Sequence, residues 1–391
     1  MKLGNCCTFF SGGTPTKGKA NYWTGQIPWF SPKDIKSFEL VSSQDQISES
    51  AVRDSATRLV KPGTILVVSR SGVLAHTLPV GIVRQSSTFN QDIKAIVPQD
   101  GYDPEYIALF LVANQGFVLK EGVKRGPTVH SLIANFLEEL ELPDIPIDQQ
   151  RQIARHVSSQ LAQVQVAQQA TQTQIRDARL LRTKIVDAAF DKFASWQPIA
   201  SVAKVQSGYA FKSGSFKRSG VRLLRNANIL PGKIYWDDPV YLDSTEAERY
   251  SNYVLEEGDV LISLDRPLIS TGIKVARVQE TDLPSLLLQR VGRFCLRPEV
   301  IDANFLYAFL QSTRFIGKIS GHDQSLGVPH ISPDQVENVE IPILPLHEQR
   351  HIATRLQAQL AEVDALRCAL ELQQNDLDAL PQRILAQVFE N

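Results

Sequence analysis

Several clusters in this 391-residue chain carry side-chain types that could do chemistry. Ser11-Gly12-Gly13-Thr14-Pro15-Thr16-Lys17-Gly18-Lys19 is glycine-rich and basic, as a phosphate-cradling loop would be, but lacks the G-x4-G-K-[ST] spacing. His322-Asp323-Gln324-Ser325 holds the residue types of a nucleophilic triad within four positions, too close to assemble one from a short loop. Asp237-Asp238 and Glu256-Glu257 pair carboxylates of the kind used in general acid–base catalysis, but at turns where water solvates both. Cys6-Cys7 could join a metal site, yet no C-x2-C pair or paired histidines accompany it. Neither an N-P-P-[FY] nor a G-x-G-x-x-G signature occurs. No catalytic residue and no metal site is therefore expected.

The composition bounds what remains. Basic residues number 41 and acidic residues 42, and 43% of side chains are hydrophobic, enough for two or more folded domains. No apolar run approaches the ~20 residues that span a bilayer. The opening Met1-Lys2-Leu3-Gly4-Asn5 lacks the apolar core of a signal peptide. Four scattered cysteines fit reduced thiols better than a disulfide framework. A cytoplasmic location without membrane contact is the expectation.

The chain is written twice. Gln150-Arg151-Gln152-Ile153-Ala154 returns as Gln349-Arg350-His351-Ile352-Ala353, and Glu141-Leu142-Pro143 as Glu340-Ile341-Pro342. Asp103-Pro104-Glu105-Tyr106 returns as Asp302-Ala303-Asn304-Phe305, and Pro62-Gly63-Thr64-Ile65-Leu66 as Glu257-Gly258-Asp259-Val260-Leu261. The order is kept throughout, as a tandem duplication requires. In each copy the first part, 1–145 and 195–345, alternates turns with short apolar runs such as Thr64–Val68 and Val260–Ile262, which read as strands. One short helix per copy fits Pro104–Ala113 and Ala303–Gln311.

The second part, 146–194 and 346–391, has another period. Ile153, Val157, Leu161 and Val164, and likewise Ile352, Leu356, Leu360 and Val363, fall three or four apart with polar residues between. That is a narrow apolar seam on a helix of roughly 65–70 Å, diluted in the first copy by Gln168 and Thr171. Residues 146–194 carry seven basic against four acidic side chains, and 346–391 four basic against seven acidic. Opposite charge predicts that the two helices pack on each other, and the duplication favours an antiparallel pair. Pro381 should kink or locally break the last two turns of the second helix. The expected fold is α+β: two repeated α/β domains joined by two long antiparallel helices forming a coiled-coil spacer.

Gly12-Gly13-Thr14-Pro15, Tyr22-Trp23-Thr24-Gly25-Gln26-Ile27-Pro28-Trp29 and Ser31-Pro32-Lys33-Asp34-Ile35 resemble the opening of a type I restriction–modification specificity subunit. Ile341-Pro342-Ile343-Leu344-Pro345-Leu346-His347-Glu348-Gln349-Arg350 resembles that family's entry into its spacer helix, and the helix ends at Ala188-Ala189-Phe190 and Val388-Phe389 also fit. The second copy has Val221-Arg222-Leu223-Leu224-Arg225-Asn226 in place of an Ile-Pro-Trp stretch, and Gln149 stands where it has Glu348.

The resemblance implies a non-catalytic subunit whose two target recognition domains read the halves of a split, asymmetric site in double-stranded DNA. It implies docking of two DNA adenine methyltransferase subunits on the helical spacer, joined by translocating restriction subunits. S-adenosylmethionine, ATP and Mg would belong to those partners, with no cofactor in this subunit. A coiled-coil adaptor whose end domains bind proteins or glycans is the competing reading.

Readout of base edges needs Arg or Lys for guanine and Asn or Gln for adenine, on loops beside a rigid sheet. In the first domain Lys33, Arg70, Lys124, Arg125 and His130 qualify. In the second, Arg225, Asn226, Asn228, Arg266, His322, Gln324 and His330 do. Asp265 beside Arg266 is either an ion-pair partner or an acceptor for cytosine. Any of these residues could instead contact phosphate, which positions without specifying. The polar clusters at the two helix starts, Gln149-Gln150-Arg151 and Glu348-Gln349-Arg350, are candidates for methyltransferase docking or for spacer-to-domain contacts.

Overall fold

A computed structural model describes residues 1–320 and 330–389. The chain forms two compact units: Met1–Thr171 with Gln373–Asn391, and Gln172–Leu372. Each unit therefore contains one strand-rich domain and a stretch of both long helices.

In the first unit a five-stranded sheet runs in the order Cys7–Ser11, Ile93–Pro98, Ile65–Val68, Val80–Val83, Glu39–Leu40. Ile27–Phe30 pairs antiparallel with Asp45–Ile47 and parallel with Thr88–Phe89. The second unit repeats this plan, with a four-stranded sheet ordered Ala203–Ser207, Val291–Leu296, Val260–Ser263, Val275–Arg277. Val221–Leu224 there pairs antiparallel with Val240–Leu242 and parallel with Ser285–Leu287. Val221–Leu224 thus fills the place of Ile27–Phe30: the strand is retained although its sequence is not.

Pro104–Ala113 and Ala303–Phe309 form the expected short helices, each capped by an aspartate. Asp103 accepts the amide of Tyr106 (3.0 Å), and Asp302 accepts those of Asn304 and Phe305 (2.9 and 3.1 Å). Each copy has a second helix that the sequence reading omitted, Gln115–Glu121 and Thr313–Ser320.

The long helices span Ile147–Phe190 and Leu346–Phe389. In the first unit the start of the first packs beside the end of the second, where Ala154 and Val157 share a core with Leu385 and Phe389. In the second unit Val186 and Phe190, near the end of the first helix, share a core with Ala353, Leu356 and Leu360. The pair is antiparallel in each. Phe389 seats against Tyr106 and Phe110 (ring centroids 5.2 and 5.9 Å), and Phe190 against Phe305 and Phe309 (5.3 and 5.4 Å). Charge complementarity is explicit in the second unit, where Arg179 meets Glu371 (3.7 Å) and Arg182 meets Asp364 (3.5 Å).

Two residues at the helix starts tie each spacer helix to its domain. Gln150 and Gln349 have no exposed surface. Gln150 accepts the Asp103 amide on Oε1 (2.9 Å) and donates Nε2 to the Ile145 carbonyl (2.8 Å). Gln349 accepts the Asp302 amide (2.9 Å) and donates to the Val300 and Leu344 carbonyls (2.8 and 2.7 Å). The same amide bridges the helix start to the cap of the short helix in both copies. Each latch closes backbone groups that would otherwise be buried without partners. Of the two roles the sequence offered for Gln150 and Gln349, the structure shows the spacer-to-domain contact, and their burial excludes them from partner docking.

Of the two outcomes expected at Pro381, the local break does not occur, because the helix continues through it to Phe389. Proline lacks the N–H that would bond the carbonyl four residues back, which is that of Leu377. Gln168 donates its Nε2 to this carbonyl (3.2 Å) and to Asp378 Oδ1 (2.9 Å). The residue that dilutes the seam thus satisfies the group that Pro381 leaves open.

Replacing Gln349 by Leu, which keeps the volume and removes the polar ends, should cost about 2–5 kcal/mol, since three buried groups lose their partner. Urea unfolding would measure it; a midpoint at the wild-type value would show that the latch is dispensable. Gln168→Ala should cost roughly 1 kcal/mol in the native chain and less beside Pro381→Ala, where the new amide can bond Leu377. Purely additive effects in that double-mutant cycle would remove the link between the two residues.

Candidate nucleic-acid interface

The hydrogen-bond register brings three of the five first-domain candidates onto one small sheet. Val123–Lys124 pairs with His130–Leu132, which pairs with Arg70–Ser71. Lys124 and Arg70 both face Ser131, and His130 lies opposite Ser71. The Gly126 amide donates to His130 Nδ1 (3.3 Å) and closes the intervening turn. A side chain at Gly126 would run into the Val129 carbonyl, at 2.4 Å from its Cβ. Arg70, Lys124 and Arg125 are exposed, and none forms an ion pair among the described residues. Lys33 sits apart on the short turn Pro32–Asp34 and pairs with Asp45 (3.1 Å). It borders a polar cleft of about 640 Å³ lined also by Thr14, Lys17, Trp23, Asn90 and Gln91. Thr14 donates to Gln91 Oε1 (2.6 Å), which orients that amide. Trp29 is buried, its indole N–H bonded to the Gly13 carbonyl (3.0 Å), so it packs rather than stacks on a ligand.

In the second domain the candidates divide. Asn228 is buried, its Oδ1 accepting the Arg225 amide (3.0 Å) and its Nδ2 donating to the Tyr235 carbonyl (3.0 Å). It closes a turn as Asp34 does in the first domain, and is corrected from reader to cap. Asn226 spends Oδ1 on Ser263 and on Lys274 Nζ. Burial pushes the Lys274 ammonium below the ordinary lysine range. Arg225 pairs with Asp238 (3.1 Å). Arg266 is exposed with φ +47°, and His330 pairs across a strand bridge with Asp265, its Nδ1 3.3 Å from Oδ1. His322 and Gln324 lie outside the described residues.

Sequence reasoning missed Arg290. Its Nη1 lies 3.1 Å from Asp265 Oδ2 and 3.5 Å from His330 Nε2. A signal existed, because Gln289-Arg290 in the second copy answers Gln91-Asp92 in the first. Gln91 and Lys17, both on the polar cleft, were also passed over.

Among the described residues, no group of three or more His, Cys, Asp or Glu side chains is placed to hold a metal. No described helix is long and apolar enough to cross a membrane.

The model of the type I restriction modification DNA specificity domain matches residues 1–177 and again 195–370. The chain belongs to this family. The double match follows the internal repeat and favours DNA recognition over the adaptor reading. The EcoAI specificity subunit of a type I restriction enzyme from Escherichia coli is 44% identical over 161 residues, 41% of this chain and 27% of that protein. The MjaVIII specificity subunit of Methanocaldococcus jannaschii is 30% identical over 277 residues, 66% of this chain and 63% of that protein. The matched stretches thus span less than two thirds of these relatives. The HsdS subunit from Thermoanaerobacter tengcongensis shares the fold at 18% identity and a TM-score of 0.59, covering 100% of this chain and 95% of that one. A chain from a structure of type I R-M complex assembly and conformational transition does so at 18% identity and a TM-score of 0.74, covering 100% and 96%.

Asn228→Ala should lower stability by about 1–3 kcal/mol, through lost buried hydrogen bonds, and should not change selection among DNA sequences if Asn228 is a cap and not a reader. Denaturant unfolding alongside binding to a randomised duplex library checks both; native stability with altered preference would return Asn228 to the readers.

Proposed function

We propose that this chain is the DNA-recognition subunit of a type I restriction–modification complex. Its two domains would read the two halves of a bipartite, asymmetric site in double-stranded DNA. The observation that carries the reading is one backbone plan used twice with different side chains at the loop corners. Similar frames with dissimilar readers suit two unlike half-sites. The exposed Arg70, Lys124 and Arg125 supply the cationic surface that such contact requires in the first unit.

The chemistry would belong to partners. The chain carries no methyltransferase or nucleotide-binding signature, so adenine methylation with S-adenosylmethionine and ATP- and Mg-dependent translocation would fall to modification and restriction subunits. Two methyltransferase subunits would dock on the paired helices. Gln149, Arg151, Glu348 and Arg350 stay exposed there, although Arg151 leans to Asp103 (3.9 Å) and Arg350 to Asp302 (3.7 Å). With basic and acidic residues nearly balanced, the chain alone should bind DNA weakly. Affinity should rise once partners add phosphate contacts.

Long-read methylation profiling tests this in cells expressing the chain with its cognate methyltransferase. A split adenine-methylated motif that appears only with both proteins is the expected result. A stable complex that methylates without sequence preference would overturn the recognition role. Failure to form any complex would return the adaptor reading to first place.

A further inference from the structure

Hydrogen bonds match the two domains residue by residue at the candidate corner. The Asn90 amide bonds the Phe30 carbonyl (2.9 Å) as that of Leu288 bonds Leu224 (3.2 Å). The Ser69 amide bonds Asp92 (2.8 Å) as that of Leu264 bonds Arg290 (2.9 Å), and the Leu132 amide bonds Ser69 (2.8 Å) as that of Ile331 bonds Leu264 (3.0 Å). Gln91 therefore corresponds to Gln289, Asp92 to Arg290, Arg70 to Asp265 and Ser131 to His330. The glutamine is kept, while the two charges beside it are exchanged: Arg70 and Asp92 in the first domain, Asp265 and Arg290 in the second.

That exchange separates two kinds of DNA contact. Phosphates are the same at both half-sites, so a phosphate contact suits a residue retained in both copies. Bases differ between unlike half-sites, so a base contact suits a position where the frame is kept and the side chain changes. Arg290 has this pattern and two features more. Its backbone is held at φ +71°, and Arg266, next to Asp265, at +47°; neither Asp92 nor Ser71 in the first domain shares such a conformation. Its guanidinium is steadied through Nη1 by Asp265, just after the strand Val260–Ser263, while the residue remains exposed. A steadied, exposed arginine fork matches the O6 and N7 acceptors of guanine.

Resting on the DNA-recognition reading above, we infer that Arg290 selects a guanine in the half-site read by the second domain, with Asp265 as its positioning residue.

The test uses the full chain assembled with its methyltransferase subunit, selecting from a randomised duplex library, with melting curves for each variant. Arg290→Lys keeps the charge and loses the fork. It should reduce discrimination for guanine at one position of one half-site by about 5- to 150-fold, leaving the other half-site and the melting temperature unchanged. Asp265→Asn should weaken the same preference in part, at the same position, whereas a merely structural role would lower the melting temperature and leave that preference alone. Unchanged preference at every position in Arg290→Lys would overturn the inference. So would a uniform loss of affinity in Arg290→Ala, with a shallower salt dependence, since that marks a phosphate contact. A wild-type complex with no sequence selection would instead sink the recognition reading and the inference with it.

Discussion

The fold depends on one amide used twice. Gln150 and Gln349 stand at the start of the long helices, where backbone amides and carbonyls of the entering chain have no helical partner. A glutamine side chain is one of the few groups that can accept with one end and donate with the other. Here the acceptor takes the amide of the aspartate that caps the short helix, and the donor closes the carbonyl just before the long helix. Leucine would fill the volume and leave these groups unpaired, while glutamate would bring a buried charge and no donor. The latch therefore fixes where each long helix leaves its domain, and the two copies share it because they share the geometry.

The far end of each helix is held by packing instead. Phe389 and Phe190 enter the cores beside the short helices, so each unit is completed by the start of one long helix and the end of the other. Between these anchors the pairing is narrow and partly polar. Thr171 and Gln374 are buried in it, and Gln168 serves the carbonyl left open by Pro381. Such groups weaken an apolar seam, and Gln168 constrains register, because its partners Leu377 and Asp378 on the other helix meet it at only one alignment.

How much of this was legible follows from what each feature depends on. The repeat, the long helices and their opposite charge are properties of order and period, and both survive in a single sequence. The aspartate caps and terminal phenylalanines were visible as residues, and the matched offsets hinted at common roles. Gln150 and Gln349 were visible too but left a docking role and a spacer-to-domain contact equally open, because burial is set by what folds over a residue and not by its type. The continuous helix at Pro381 was illegible for a related reason: the compensating donor is 213 positions away in the chain. Asn228 looked like a base reader because amides that read adenine and amides that cap turns are the same group. Arg290 escaped notice because it sits where the first copy has an aspartate, and a repeat is easiest to see where its copies agree.

That last point reverses the usual weight given to an internal repeat. Agreement between the copies marks what the scaffold needs: the glutamine latch, the aspartate cap and the aromatic anchor. None of these is free to vary without loss of buried partners or packing. Disagreement on a kept backbone is tolerated only where the side chain faces outward, since there a change of charge costs the fold little. The exchanged arginines, Arg70 and Arg290, are exposed and meet that condition, while the half-buried Asp265 keeps a charge partner in Arg290. Recognition of two unlike half-sites with one scaffold, as proposed for this chain, would concentrate the differences at such corners. The stability of the frame then becomes the condition for altering what it reads.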